Sequence, residues 1–238
     1  MKRTRLAAAL AALGVTALIA AAAPAPAAAP AAPARPDCAK VKCLALTFDD
    51  GPGRYTPALL DVLKKHRVKA TFFLVGKRVA ERPGVVRRMA KEGHEIGNHT
   101  FDHARLTALG DYEILDELSR TQRILRRVTG KRPALMRPPY GATDARVAAR
   151  AGELGLAQVL WTGTTSDWAL RDIEKITEAA LRLARPGGVI LLHDVVPHTV
   201  KAMPAVLTAL KKQGYHLVTV STLLGGEPLR AGQTFPPR

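Results

Sequence analysis

Two hydrophobic rhythms take turns along the chain from Asp37 onward. Short, mostly apolar runs near residues 44–48, 70–75, 95–98, 134–137, 157–161, 188–192 and 216–220 read as strands. Between them, residues 57–66, 84–92, 111–129, 144–154, 173–184 and 200–213 repeat apolar positions at helical spacing, and Gly93, Gly130, Gly155, Gly187 and Gly214 follow several of these stretches as stops. Strand and helix in alternation, joined by short connections, predict one α/β domain built on a parallel sheet. About seven strands suit an incomplete (β/α) barrel.

The first 36 residues do not share this pattern. Lys2, Arg3 and Arg5 precede an uncharged Ala/Leu/Val/Ile stretch from Leu6 to Ala23, and small residues through Ala29 offer Ala-x-Ala cleavage choices, so residues 1–29 read as a secretory signal. Its weakly hydrophobic, Ala-heavy composition favours cleavage over retention as a membrane anchor. Residues 30–36 form an Ala/Pro linker, residues 37–224 the folded domain, and residues 225–238 a C-terminal tail whose Gly and Pro content predicts a loose segment. An exported chain with two cysteines, Cys38 and Cys43, is expected to pair them as a local staple.

Charge places the protein more than it explains it. Loss of residues 1–29 removes three bases and no acid, taking the net charge from +16 to +13. Such a cationic chain outside the cell is drawn to anionic cell-wall polymers, with an attraction that weakens in salt. Nucleic acid is not expected as a partner, because no basic recognition helix, zinc finger or aromatic stacking motif accompanies the charge. Pairs such as Arg87-Arg88 and Arg126-Arg127 read as solvated helix faces. No stable protein partner is implied.

The chemistry concentrates at strand ends. Thr47-Phe48-Asp49-Asp50-Gly51 closes the first apolar run, and His99-Thr100-Phe101-Asp102-His103 follows the third. Adjacent side chains on an extended strand point to opposite sides, so Asp49 and Asp50 are expected to do different jobs. His99 and His103 are four apart, and one helical turn there would put both rings on one face. A carboxylate and two imidazoles leave open positions on a metal, as a hydrolytic site needs for water. Arg137, Asp167 and His193 lie at or just beyond three further strand ends, the rim where parallel α/β barrels build active sites.

With Thr47 to Gly51 (TFDDG), His99 to His103 (HTFDH), Arg137 to Gly141 (RPPYG), Ser166 to Trp168 (SDW) and Leu191 to His193 (LLH), the chain resembles, in order and spacing, the polysaccharide deacetylases of carbohydrate esterase family four, the NodB homology group. The resemblance implies a distorted (β/α) barrel and a metal-dependent hydrolase that removes acetyl groups from N-acetylglucosamine polymers such as chitin or peptidoglycan, or from acetylated xylan. By the same resemblance Asp50, His99 and His103 bind the metal, usually Zn2+, with Co2+ or another divalent ion as alternatives. Asp49 is then the general base, Arg137 orients it, His193 is the general acid and Asp167 keeps that imidazole charged. The backbone N–H of Tyr140 would stabilise the oxyanion, and Trp168 and Leu191 would line the acetyl pocket. The fourth motif departs from the family, with Thr164 where another Asp is common. His66, His94, His198 and His216 match no catalytic position; His66 and His94 follow predicted helices, where a charged imidazole favours the helix end.

Three other readings compete. An acetylxylan esterase would use the same machinery on an easier bond. A non-catalytic wall-binding module would explain charge and linker, but not Asp49 and His193. A two-histidine, one-carboxylate iron oxygenase fits the ligand types but lacks any sign of a cosubstrate pocket.

Overall fold

β1 (Cys43–Asp49) is buried at all seven positions, because it packs on both faces. Leu44, Leu46 and Phe48 point outward into a cluster shared with the surrounding helices. Cys43 and Ala45 point inward with Phe73, Val159 and Val189. Each outward side chain contributes about 1.5–3 kcal/mol of burial, which explains why the run carries no polar break on that face. The alternation leaves Thr47 and Asp49 on the inner face.

The computed structural model describes residues 36–236. The expected signal and all but the last residue of the expected linker lie outside the described residues. Beyond β1 the strands are β2 (Thr71–Leu74), β3 (Glu95–Asn98), β4 (Leu135–Met136), β5 (Ala157–Val159), β6 (Gly163–Thr164), β7 (Gly188–His193), β8 (His216–Val218) and β9 (Thr234–Phe235). The helices are α1 (Thr56–Lys65), α2 (Gly76–Glu81), α3 (Pro83–Lys91), α4 (Asp111–Thr129), α5 (Ala145–Glu153), α6 (Asp167–Leu170), α7 (Ile173–Leu183), α8 (Pro197–Lys212) and α9 (Val220–Leu223). Among the described residues, no helix is long and apolar enough to cross a membrane.

Every strand pairing is parallel. The sheet runs β6-β7-β1-β2-β3-β4-β5-β9, with β8 also paired to β1, so it ends in two edges instead of closing. This is the incomplete barrel that the pattern predicts. Seven strands match the predicted runs; β6 and β9 are additional.

β9 corrects the reading of the C-terminal segment as a loose tail. Thr234 and Phe235 pair in register with Gln158 and Val159 of β5, and the Gln158 and Leu160 N–H groups donate to the Gln233 and Phe235 carbonyls at 2.7 Å each. Gly and Pro content misled because two paired residues suffice to add a strand. His94 corrects a second expectation. It is buried beside β3, its Nδ1 accepts the Ala70 N–H at 3.2 Å, and burial pushes its pKa down to about 4. It is a neutral packing residue, not a charged helix end.

The expected disulfide joins Cys38 to Cys43 at the start of β1. α4 starts with the Glu113 carboxylate accepting the Gly110 N–H at 2.6 Å, and ends where Gly130 takes a left-handed φ of 76° that a side chain would strain.

Candidate active site

Parallel pairing sets the geometry of the rim. β1 and β7 run in register from Leu44↔Gly188 to Asp49↔His193, so Asp49 and His193 end neighbouring strands on the same inner face. Neighbouring strands lie about 4.8 Å apart, which places the carboxylate and the imidazole side by side.

Arg137 fixes Asp49 from behind. Its fully buried guanidinium donates from one terminal nitrogen to Asp49 Oδ1 at 2.9 Å and to Thr47 Oγ1 at 2.7 Å. Its remaining nitrogens donate to the Val159 carbonyl at 2.9 Å and the Leu160 carbonyl at 2.7 Å. The guanidinium also lies over the Phe73 ring, 4.3 Å from its centroid. Four hydrogen bonds lock a charge that would otherwise be costly to bury.

Asp50 leaves the strand through a left-handed φ of 72°. Strict strand alternation would send its side chain away from Asp49; the turn brings it round to the histidines. Its Oδ1 lies 3.1 Å from His103 Nε2 and 3.4 Å from His99 Nε2, while Asp49 Oδ2 lies 3.9 Å from His99 Nε2. Burial pushes the Asp50 carboxyl up, but the His103 and His99 imidazoles beside it outweigh that and hold the group well below the usual carboxylate range.

The two histidines converge, though not through the predicted helical turn. Residues 99–103 are a loop in which Thr100 and His103 both take a φ of 62°. The Thr100 N–H donates to Asn98 Oδ1 at 2.9 Å, and the half-exposed Phe101 and Asp102 N–H groups both donate to Glu117 of α4, at 2.8 and 2.9 Å. Asn98 in turn donates to the Leu118 carbonyl. Helix α4 thus grips the loop that carries the two histidines.

His99 Nδ1 faces the Arg137 carbonyl at 2.7 Å, so it carries the proton and leaves Nε2 with its lone pair for a cation. His103 Nδ1 lies 3.2 Å from the Tyr140 hydroxyl, giving that ring a role beyond packing. Ligand atoms of Asp50, His99 and His103 all fall within 4.8 Å of one another, and Asp50 Oδ1 is buried with no hydrogen-bond partner. That donor set and that orphaned oxygen fit a divalent cation.

His193 is held at two points. Its Nδ1 donates to Asp167 Oδ1 at 2.8 Å and its backbone N–H to Asp167 Oδ2 at 2.8 Å; Thr199 Oγ1 donates to the same Oδ2 at 2.5 Å. Burial pushes the imidazole down, but Asp167, aided by the charges of Asp49 and Asp50, carries its pKa up to about 9.

A cavity of about 480 Å³ gathers Asp49, Asp50, His99, His103, Tyr140, Trp168, Leu191 and His193. Arg137 and Asp167 stand behind its wall, fully buried. Every site residue expected from sequence is therefore in the cavity or bonded to a group that is. Trp161, Thr164 and Ser166 also line it.

The chain matches the description Polysaccharide deacetylase over residues 37–159. It belongs to the polysaccharide deacetylase family. Among relatives of this deacetylase-family chain is the peptidoglycan-N-acetylglucosamine deacetylase PgdA of Listeria monocytogenes, 41% identical over 201 residues, which cover 84% of this chain and 42% of PgdA. The chain thus matches under half the length of that relative. A chitooligosaccharide deacetylase of Bradyrhizobium is 38% identical over 197 residues, covering 76% of this chain and 90% of its own. A deacetylase solved with substrate superposes with a TM-score of 0.80 at 42% identity, covering 84% of this chain and 98% of its own.

Sequence reading missed Asp194. It is fully buried beneath the Gly51-Pro52-Gly53 turn, and its Oδ2 accepts from Thr56 Oγ1 at 2.5 Å while Oδ1 has no partner. Burial pushes its pKa up to about 7. A Cβ at Gly51 would fall 2.2 Å from that Oδ2, so the turn that presents Asp50 is shaped around this carboxyl group. A polar residue directly after the Leu-Leu-His run was the available signal.

Proposed function

We propose that this chain is a secreted, metal-dependent hydrolase that removes N-acetyl groups from glycans containing N-acetylglucosamine, of the chitin-oligomer or peptidoglycan type. The observation that carries the reading is the pairing of a fixed carboxylate, Asp49, with a charged imidazole, His193, beside the Asp50, His99 and His103 cluster. The names of the Listeria and Bradyrhizobium relatives support the substrate class. The leader-like pattern of residues 1–29 and the disulfide support secretion.

Asp50, His99 and His103 would hold the ion, with Zn2+ first among the candidates. When bound, it supplies Lewis-acid polarisation of the acetyl carbonyl and of water. Asp49 takes the proton of the attacking water, with Arg137 keeping its carboxylate aimed. The Tyr140 N–H donates to the carbonyl oxygen as negative charge develops there, a contact typically worth about 3–4 kcal/mol. His193 then gives a proton to the departing amine, leaving acetate and a free amino sugar. Asp167 keeps that proton available. Trp168 and Leu191 border the space for the acetyl methyl group.

The test is acetate release from chitin oligomers, peptidoglycan and acetylxylan, with and without chelator. If Asp49→Ala keeps full metal-dependent activity on all three, the reading fails. Faster turnover of acetylxylan than of either N-acetylated glycan would make the enzyme an esterase instead.

A further inference from the structure

A second cavity, of about 630 Å³, opens at the end of the sheet opposite the Asp49 pocket, where β3 begins and α3 and α4 end. Arg87, Lys91, Lys131 and Arg132 stand around it, over a floor that includes Ile96, Leu125 and Val128. The charge here is concentrated. Residues 82–91 carry four cations and residues 120–132 carry six, with no acid in either stretch. Sequence alone reads these as solvated faces; the fold packs the two stretches around one cleft.

Cations near helix C-termini also complement the helix dipole, and that accounts for some of them. It does not account for Lys131 and Arg132, which lie beyond Gly130 where α4 has ended, or for Arg87, which sits within α3. Arg88 and Arg120 pair with carboxylates, whereas among the described residues no carboxylate pairs with Arg87, Lys91, Lys131 or Arg132. The acid lining the cleft, Glu95, is already engaged by the hydroxyls of Thr71 and Ser221.

We propose that this cleft docks a polyanion of repeating phosphodiester units on a flexible polyol backbone. Guanidinium forks and ammonium groups suit phosphate oxygens, and the aliphatic floor suits polyol carbons. Among the described residues no Phe, Tyr or Trp lines the cleft, and its one imidazole, His94, is buried edge-on against Phe72, so nucleic-acid bases would find no open ring to stack on. The opposite placement of the two cavities lets a docked polymer leave the Asp49 pocket free. Docking would then raise the local concentration of an enzyme on a surface built from such polymers, without competing with its substrate.

The test measures binding of labelled poly(glycerol phosphate) to the full chain by fluorescence anisotropy over a range of NaCl concentrations. The variant Arg87→Ser, Lys91→Ser, Lys131→Ser, Arg132→Ser should bind at least about tenfold more weakly, and its slope of log Kd against log salt should fall by about one for each phosphate contact removed. Acetate release from a soluble chitin oligomer should stay as in the wild type, which separates this site from the catalytic one. The pair Lys91→Ser, Lys131→Ser should show a smaller loss in the same direction and serves if the fourfold variant does not fold. A control variant carrying Lys64→Ser, Lys65→Ser, Lys201→Ser and Lys212→Ser loses the same charge from α1 and α8 and should bind normally. Equal losses in control and cleft variants would show that net charge alone acts, and overturn the proposal. So would wild-type binding by the cleft variants, or tighter cleft-dependent binding of single-stranded DNA of matched charge.

Discussion

Asp167 accepts two hydrogen bonds from one residue, the Nδ1–H and the backbone N–H of His193, each at 2.8 Å. The carboxylate therefore fixes both the position of the ring and its charge, and the ring faces the cavity with Nε2. Asp167→Asn should lower the His193 pKa from about 9. The alkaline limb of the pH–rate profile should move to lower pH, and turnover near neutral pH should fall on the order of 100-fold. An unmoved limb would remove His193 from the role of acid.

The same pair predicts a pH dependence of stability. The folded-state pKa of His193 lies above its ordinary value, 6.5, so the pair's contribution is fully present below about 6.5 and is lost as pH rises through about 9. Urea unfolding of metal-free protein between those pH values should show a loss in the wild type that is absent in His193→Gln.

Arg137 is buried with Asp49 as its carboxylate partner. Asp49→Ala should therefore cost about 3–5 kcal/mol of stability in addition to activity, because it strands a buried cation. Asp49→Asn keeps a hydrogen-bond acceptor and should destabilise less while abolishing turnover. Denaturant midpoints beside acetate release separate the two effects.

Cation binding at Asp50, His99 and His103 should be visible without any substrate. Zn2+ at about 100 times its Kd stabilises a folded protein by about 2.7 kcal/mol, read as a rise in Tm. His99→Ala should lose most of that rise, and chelator should abolish both the rise and acetate release in the wild type. A wild-type Tm indifferent to every divalent ion tested would contradict the three-ligand site.

Gly51→Ala should displace the turn that carries Asp50, since its Cβ would meet the Asp194 carboxyl group. The expected result is a weaker Zn2+ affinity, measured by chelator competition. Combining it with Asp194→Gly should recover part of that loss, a non-additivity that marks direct contact.

The strands that carry the site were legible because they are buried on both faces: β1 and β7 are nearly continuous apolar runs that end in Asp49 and His193. β6 and β9 have two residues each and, unlike the equally short β4, contain no pair of apolar residues to mark them. That His99 and His103 belong with Asp50 was legible, but the means of bringing them together was not. Left-handed backbone at Thr100 and His103 has no glycine to announce it, and its support comes from Asn98 and from Glu117, many residues away in sequence. Asp194 escaped for a related reason: its partners, Thr56 and the Gly51 turn, are brought to it only by the fold.

Strand β9 has a consequence for how the molecule must be assembled. The outer edge of β5 is covered by a segment that is synthesised more than seventy positions later, with Gln158 bonded to Thr234 across 76 residues. Until that segment arrives, a row of peptide groups on β5 stands open as a template for a stranger's strand. A chain ending before Thr234 would keep Asp49, His193 and the residues around them and gain a tendency to aggregate.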